Sequence, residues 1–383
     1  MKGTVGLILL FVMLIFSASL DYSCQNKKDD VSTPTENVAP VKLSEIGVVI
    51  PLSGEVASYG QRAQRGMQLA QKDWKAHGKP EIGLIFEDDQ SETSKAVTAT
   101  QKLIDINKVP VVVGSAASSV TMGMTTVGNQ RHVVIFSPIA SSPELSSKGG
   151  SFFFRVAPSD TAQAKIMADW FKEKGIKKIA VLYASDTWGQ SLFEAIKTYH
   201  GQNGGTIVAE EGIQKGQTEF RTQLTKFKTT GADAFYAIVY PKDGGAFFKQ
   251  AKQLKITTSV YGGDVWISPE FVEVAGSAAE GAFFVAPAKL SGTKFDQFVA
   301  AYKQAYGEDP EVYAAYSYDT FMVLANAIQS GARTGEAIRV YLSKMPPYDG
   351  VSGSFQFDAH GDVIGKGFDR FTIQAGKPAK VSQ

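Results

Sequence analysis

The sequence predicts an α/β protein built as two doubly wound parallel-sheet lobes with a ligand cleft between them. Three observations predict it. Short Val/Ile-rich runs alternate with amphipathic helical stretches from residue 45 onward. The alternation runs twice, over about 45–140 and again over about 178–285. Further helices and short strands then follow, enough to complete each series.

Taken in order, the first series contains the runs "IGVVI", "IGLIF", "VPVVVG" and "HVVIFS", and the second "KKIAVLYA", "GTIVAE" and "ADAFYAIVY". Continuous apolar runs, rather than alternating ones, belong to parallel strands covered on both faces. The intervening helical stretches are roughly 10–18 residues long. In "YGQRAQRGMQLAQKDWKAH", Ala63, Met67, Ala70 and Trp74 fall on one helical face. Between the series, "SFFFRVAPSD" reads as a strand passing from one unit to the next. After residue 286 the chain turns helical, with Phe295, Phe298, Tyr302 and Ala305 on one face, and a long helix follows through "VYAAYSYDTFMVLANAI". Two short strands, "GSFQFD" and "FDRFTIQ", close the chain.

A length of 383 residues suits about two domains of ~100–200 residues each. With 44% hydrophobic and 20% charged residues and a net charge of +1, the chain has the composition of a globular protein. A near-neutral balance without Lys/Arg runs argues against nucleic acid or acidic lipid as the main partner.

The N-terminus differs from the rest. After Lys2 come about fifteen largely apolar residues from Val5, short of the ~20 of a membrane span and suited to the core of an export signal. The single cysteine, Cys24, lies just beyond. It reads either as an incidental thiol of a cleaved leader or as the acylated N-terminus of a lipoprotein, with 1–23 as signal peptide. Asp21 and Tyr22 depart from the small or apolar residues usual before such a cysteine. Residues 24–43, polar and containing Pro and Thr, read as a flexible tether. One cysteine excludes an intrachain disulfide.

Ligands of doubly wound sheets bind outside the carboxyl ends of the strands. The loops expected there are "PLSGEVASYG", "GSAASSVT", "SPIASSPEL", "YASDTWGQ" and "VYPKDGG", with "YGGDVW" further on. "SSPEL" is a helix start, with Ser141 or Ser142 as N-cap, and Ser118 or Ser119 fits a second cap. Each serine reads either as a plain cap or as part of an anion site built from helix N-termini and hydroxyls. Neither GxxxxGK[ST] nor GxGxxG follows the first strand, which argues against a nucleotide phosphate. GxSxG is absent, and His77, His132, His200 and His360 have no metal-ligand spacing. No metal or other cofactor is expected. A carboxylate remains as the anion.

A ligand carrying an ammonium beside that carboxylate needs an acid on the protein. Asp264 in "GGDVW" reads either as that acid or as a turn former. Tyr59, Trp188, Tyr240 and Tyr318 lie near the expected cleft and read as walls of an apolar pocket or as ordinary packing.

In order and spacing, "PLSGEVASYG", "VVVGSAASS", "FSPIASSPEL", "YASDTWGQ", "YGGDVW" and "AAYSYDTFMVLANA" resemble the type I periplasmic solute-binding proteins of the leucine/isoleucine/valine-binding branch, over about 45–375. The resemblance implies the periplasmic-binding-protein type I fold. Its two lobes, 44–158 plus 287–364 and 159–286 plus 365–383, are joined by three crossovers and close over a ligand. It implies delivery of that ligand to an ABC permease in the inner membrane by a monomeric receptor. Carried over by position, Ser118 and Ser141 resemble the hydroxyls that meet the ligand carboxylate and amino group. Ala117, Ile139 and Ala140 would supply backbone contacts, Asp264 the acid facing the ammonium, and Tyr59, Trp188, Tyr240 and Tyr318 the surroundings. Asp264 stands where Glu is familiar, Ser141 where Thr is, and Trp188 where Tyr is, and the family's disulfide is absent.

The leading expectation is a lipid-anchored receptor for an α-amino acid with a branched-chain or other apolar or aromatic side chain. The alternative is a sensor module for an amide, urea-type or aromatic-acid ligand working with a separate membrane partner. An enzyme is disfavoured because no phosphate motif or nucleophile–histidine–acid set is present.

Overall fold

The computed structural model describes residues 44–381; the expected leader, the tether and Cys24 lie outside them. The first sheet is wholly parallel, in the order β2-β1-β3-β4-β5. Its strands are β1 (Ser44–Ile50), β2 (Ile82–Asp88), β3 (Val111–Gly114), β4 (Val134–Ser137) and β5 (Phe153–Arg155). They are linked by α1 (Ala57–Ala76), α2 (Thr93–Asp105), α3 (Ser118–Arg131) and α4 (Pro143–Lys148). The continuous apolar runs are explained by burial on both faces: Val48, Val49, Val112, Val113 and Ile135 are all inaccessible to solvent. "SFFFRVAPSD" proves to be the edge strand of this sheet, and the passage to the next one follows at 156–159.

The second half repeats the plan. It runs through α5 (Asp160–Glu173), β6 (Lys178–Ala184), α6 (Thr187–Gln202), β7 (Thr206–Ile213), α7 (Arg221–Lys228), β8 (Ala234–Ile238) and α8 (Pro241–Gln253). Then come β9 (Ser259–Gly262), a 3₁₀ turn (Asp264–Ile267), α9 (Pro269–Ala275) and β10 (Phe283–Pro287). The strand order β7-β6-β8-β9-β10 mirrors that of the first sheet and is parallel throughout.

The chain next adds α10 (Thr293–Tyr306), α11 (Val312–Gln329) and α12 (Gly335–Lys344), then β11 (Tyr348–Gly350), β12 (Gly353–Phe357) and β13 (Val363–Ile364). These pack with the first half: α11 lies along α1, α12 against β4, and the Arg155 N–H donates to the Gly361 carbonyl at 2.9 Å. A last passage leads to β14 (Phe368–Gln374) and β15 (Lys377–Lys380), which extend the second sheet in antiparallel fashion beyond β10. The two strands expected at the C-terminal end are therefore β12 and β14, and they belong to different sheets. On α10, Phe298 and Tyr302 are buried as expected, but Ala305 is exposed and Tyr306 takes its place against the core. Among the described residues no helix is long and apolar enough to cross a membrane.

The apolar face foreseen on α1 is real: Ala63, Met67, Ala70 and Trp74 are buried. Its contact with α11 is closest at Gly66, where an added Cβ would sit 2.2 Å from the Ala314 carbonyl oxygen. That approach fixes how α11 lies on α1. Gly66→Ala is expected to push the helices apart and lower the unfolding free energy by about 1–3 kcal/mol, the usual cost of overpacking, measured by urea denaturation.

Candidate functional site

Parallel strands put all their carboxyl ends on one side, so the loops after β1, β3 and β4 face those after β6, β8 and β9. Between them lies a cavity. The first half contributes Val56, Tyr59, Ala116, Ala117, Ser118, Ile139, Ser141 and Tyr313 to its lining. The second half contributes Trp188, Tyr240, Asp264 and Val265.

One pole is built from the β3–α3 and β4–α4 loops. Gly114, ending β3, has φ +142°, and a Cβ there would strike the Val49 carbonyl; glycine lets the chain turn directly into the loop. The N-terminus of α3, whose first N–H groups have no intrahelical acceptor, meets the cavity through Ala117 and Ser118. Neither Ser118 nor Ser119 caps α3: Ala117 holds that place, and Ser118 Oγ accepts the Ser142 N–H at 3.2 Å. Of the two candidate caps of α4, Ser142 is the one used, accepting the Glu144 N–H at 3.1 Å. Ser137 Oγ donates to the Ser115 carbonyl at 2.9 Å and accepts the Ala140 N–H at 2.9 Å, which ties the two loops together. From below, the fully buried Arg155 donates to the Ser142 carbonyl at 2.9 Å and pairs with Asp362 at 2.6 Å.

The other pole is acidic. Asp264 opens the 3₁₀ turn after β9 and receives the Tyr313 hydroxyl at 3.4 Å. Behind it lies Asp160, the first residue of α5, whose Oδ2 accepts the Ser141 hydroxyl at 2.8 Å. The Gln163 amide lies between the acids. Oriented to satisfy its partners, it donates to Asp160 Oδ1 at 2.8 Å and Asp264 Oδ1 at 3.2 Å, and accepts the Asp264 N–H at 3.1 Å. Among the described residues neither acid has an ion-pair partner within 4.0 Å. Burial, then the neighbouring charge of Asp160, pushes the Asp264 carboxyl well above the usual carboxylate range. Burial also raises Asp160, opposed by the Ser141 hydrogen bond and the Arg155 charge.

The walls are aromatic and aliphatic. Trp188 and Tyr240 meet at 5.1 Å between ring centroids, and Tyr59 and Tyr313 at 5.4 Å. The Tyr240 hydroxyl is committed to Asp186 at 2.8 Å, whereas the buried Tyr59 hydroxyl has no protein partner. The lining, among the described residues, contains no His, Lys or Cys. Among the described residues no cluster of His, Cys, Asp and Glu is disposed to hold a metal ion.

Eight of the expected site residues thus come together: Tyr59, Ala117, Ser118, Ile139, Ser141, Trp188, Tyr240 and Asp264. Ala140 and Tyr318 do not line the cavity. Ala140 is buried behind it with its carbonyl turned to Arg155. Tyr318 lies on the opposite part of α11, its hydroxyl donating to Asp73 at 3.0 Å and its ring against Phe298. Tyr313 occupies the place expected for it: five residues on a helix turn a side chain by about 140°, so only one of the two faces the cleft. Tyr313, Asp160 and Gln163 were missed. The position of Asp160 just after "RVAPS", where the chain leaves the first half, is the one signal that marks it.

The chain matches the family model described as periplasmic binding protein over residues 44–372. It is 28% identical to a Pseudomonas aeruginosa amino acid binding protein over 83% of this chain and 87% of that one. Among solved structures it resembles the leucine-binding protein LivK of Thermotoga maritima, with a TM-score of 0.82 and 27% identity over 88% of this chain and 98% of that one. It also resembles the branched-chain amino acid transporter substrate-binding protein LivJ of Streptococcus pneumoniae in complex with isoleucine, with a TM-score of 0.78 and 29% identity over 88% and 99%. A family match across nearly all of the described chain, on the same two-lobed fold, settles the assignment: the chain belongs to the periplasmic binding protein family.

Proposed function

We propose that the chain is the extracytoplasmic substrate-binding component of an ABC importer, and that it captures an α-amino acid with a branched-chain or other apolar side chain. The observation that carries this reading is the polarity of the cavity between the two halves. Ser118 and the α3 N-terminus offer donors to a carboxylate at one pole. Asp264, supported by Asp160, offers a buried carboxylate to an ammonium at the other. Val56, Ile139, Val265 and the aromatic rings receive the side chain, and the unpaired Tyr59 hydroxyl meets the ligand or a water beside it. The lining comes from both halves, so binding and closure of the lobes 44–158 plus 287–364 and 159–286 plus 365–383 are one event. The ligand is released unchanged to a permease.

The similarity to proteins named for leucine and branched-chain amino acids supports the apolar side chain. Isothermal titration with the common L-amino acids tests the proposal, with leucine, isoleucine or valine expected to bind. Binding of an amide, urea or aromatic acid, with none of the amino acids, would overturn it.

Asp264→Asn separates two roles of the carboxylate. Losing the ammonium's partner is expected to weaken amino-acid binding by about 2–5 kcal/mol, read by calorimetry. The same change is expected to stabilise the ligand-free fold, because an acid whose folded pKa is raised binds its proton more tightly folded than unfolded. The wild-type fold therefore loses stability as pH rises above ~4, the ordinary carboxylate value, and the variant does not incur that loss. Urea unfolding of both proteins from acid to neutral pH is expected to show the curves diverging upward in pH.

We further propose that the receptor is held at the membrane by acylation of Cys24, which lies outside the described residues. Cys24→Ala is expected to move the protein into the soluble exported fraction on cell fractionation; retention with the membrane would refute the anchor.

A further inference from the structure

Arg62 follows Tyr59 by one helical turn, and its guanidinium lies over the Tyr59 ring at 5.9 Å. Its side chain is 16% exposed and meets two carboxylates, Glu270 at 3.1 Å and Glu311 at 2.7 Å. Nη1 also donates to Ser268 Oγ at 3.4 Å, and the Ser268 hydroxyl is itself bonded to Glu270. The three segments joined in this way each carry part of the cavity. Tyr59 is on α1, Tyr313 stands two residues after Glu311, and Asp264 and Val265 lie just before Ser268 and Glu270.

The two partners are not equivalent. Arg62 and Glu311 belong to the first half, so their bond survives any rotation of one half against the other. Glu270 belongs to the second half, so its bond to Arg62 exists only while the cleft is shut. Opening therefore exchanges one carboxylate for water without stranding the guanidinium. Other bonds cross nearby, among them two buried hydrogen bonds to carboxylates, Ser141 to Asp160 at 2.8 Å and Tyr313 to Asp264 at 3.4 Å. Glu55–Lys215, at 3.2 Å, has an exposed carboxylate and is the kind of pair that contributes little. Ser142 and Ser191 share one neutral hydroxyl bond at 2.6 Å. Arg62 makes the mostly buried ion pair across the cleft.

We propose, resting on the amino-acid-binding reading above, that Arg62 is the positioning residue that couples ligand seating to closure. Held by Glu311, it sets Tyr59 against the ligand and takes Glu270 when the second half arrives. Its contribution falls on release, because the Glu270 bond forms after encounter.

Stopped-flow kinetics with leucine, or whichever amino acid the titration identifies, tests this in Arg62→Ala, Arg62→Lys, Glu270→Gln and the Arg62→Ala/Glu270→Gln double variant. Glu270→Gln is expected to raise the dissociation rate about tenfold while the association rate stays within about threefold. Arg62→Lys is expected to restore part of the loss seen in Arg62→Ala. The double variant is expected to release ligand no faster than Arg62→Ala alone. Additive losses, or losses confined to the association rate, would overturn the latch while leaving the binding function intact. Absence of amino-acid binding by the wild type would overturn both. Should Arg62→Ala fail to fold, Glu270→Gln and Arg62→Lys, combined as their own double variant, decide the question by the same criterion.

Discussion

Two carboxylates buried beside one amide, with no cation among the described residues paired to either, form the constraint around which the cavity is arranged. Asp160 and Asp264 share Gln163, and each has a hydroxyl as further partner, Ser141 for one and Tyr313 for the other. The buried cation Arg155 is spent on Asp362 and on the carbonyls of the β4–α4 loop. It lowers Asp160 by its charge but does not pair with it. Hydrogen bonds compensate part of the desolvation.

The scaffold delivers the two poles from opposite directions because both sheets have the same strand order. β1 and β3 diverge at one topological switch point and β6 and β8 at the other, and the loops of the cavity leave from those strands and from the adjoining β4 and β9. The serine pole is rigid by construction. Ser137 binds one loop to the other, Ser118 receives the Ser142 N–H, and Arg155 holds the second loop from beneath. The acidic pole hangs on a short 3₁₀ turn that continues into α9, whose Glu270 is in turn held by Arg62. One half thus presents a fixed surface and the other a segment whose position depends on contacts across the cleft. That division suits a pocket completed by closure.

What the sequence determined by itself was local. Continuous apolar runs, the α1 face of Ala63, Met67, Ala70 and Trp74, and the helix start at "SSPEL" each follow from spacing within a dozen residues. Parallel strands then place the intervening loops together by a general rule, which marked Tyr59, Ser118, Ser141, Trp188, Tyr240 and Asp264, while the family resemblance added Ala117 and Ile139. The tertiary structure alone decided three things. It chose Tyr313 over Tyr318, because the phase of α11 is set by its approach to α1 at Gly66 rather than by its own pattern. It turned Ala140 away, because a buried guanidinium claims that carbonyl. It joined Asp160 to Asp264, because the two meet at Gln163 within the second half although they lie far apart in the chain, and no local periodicity encodes that meeting.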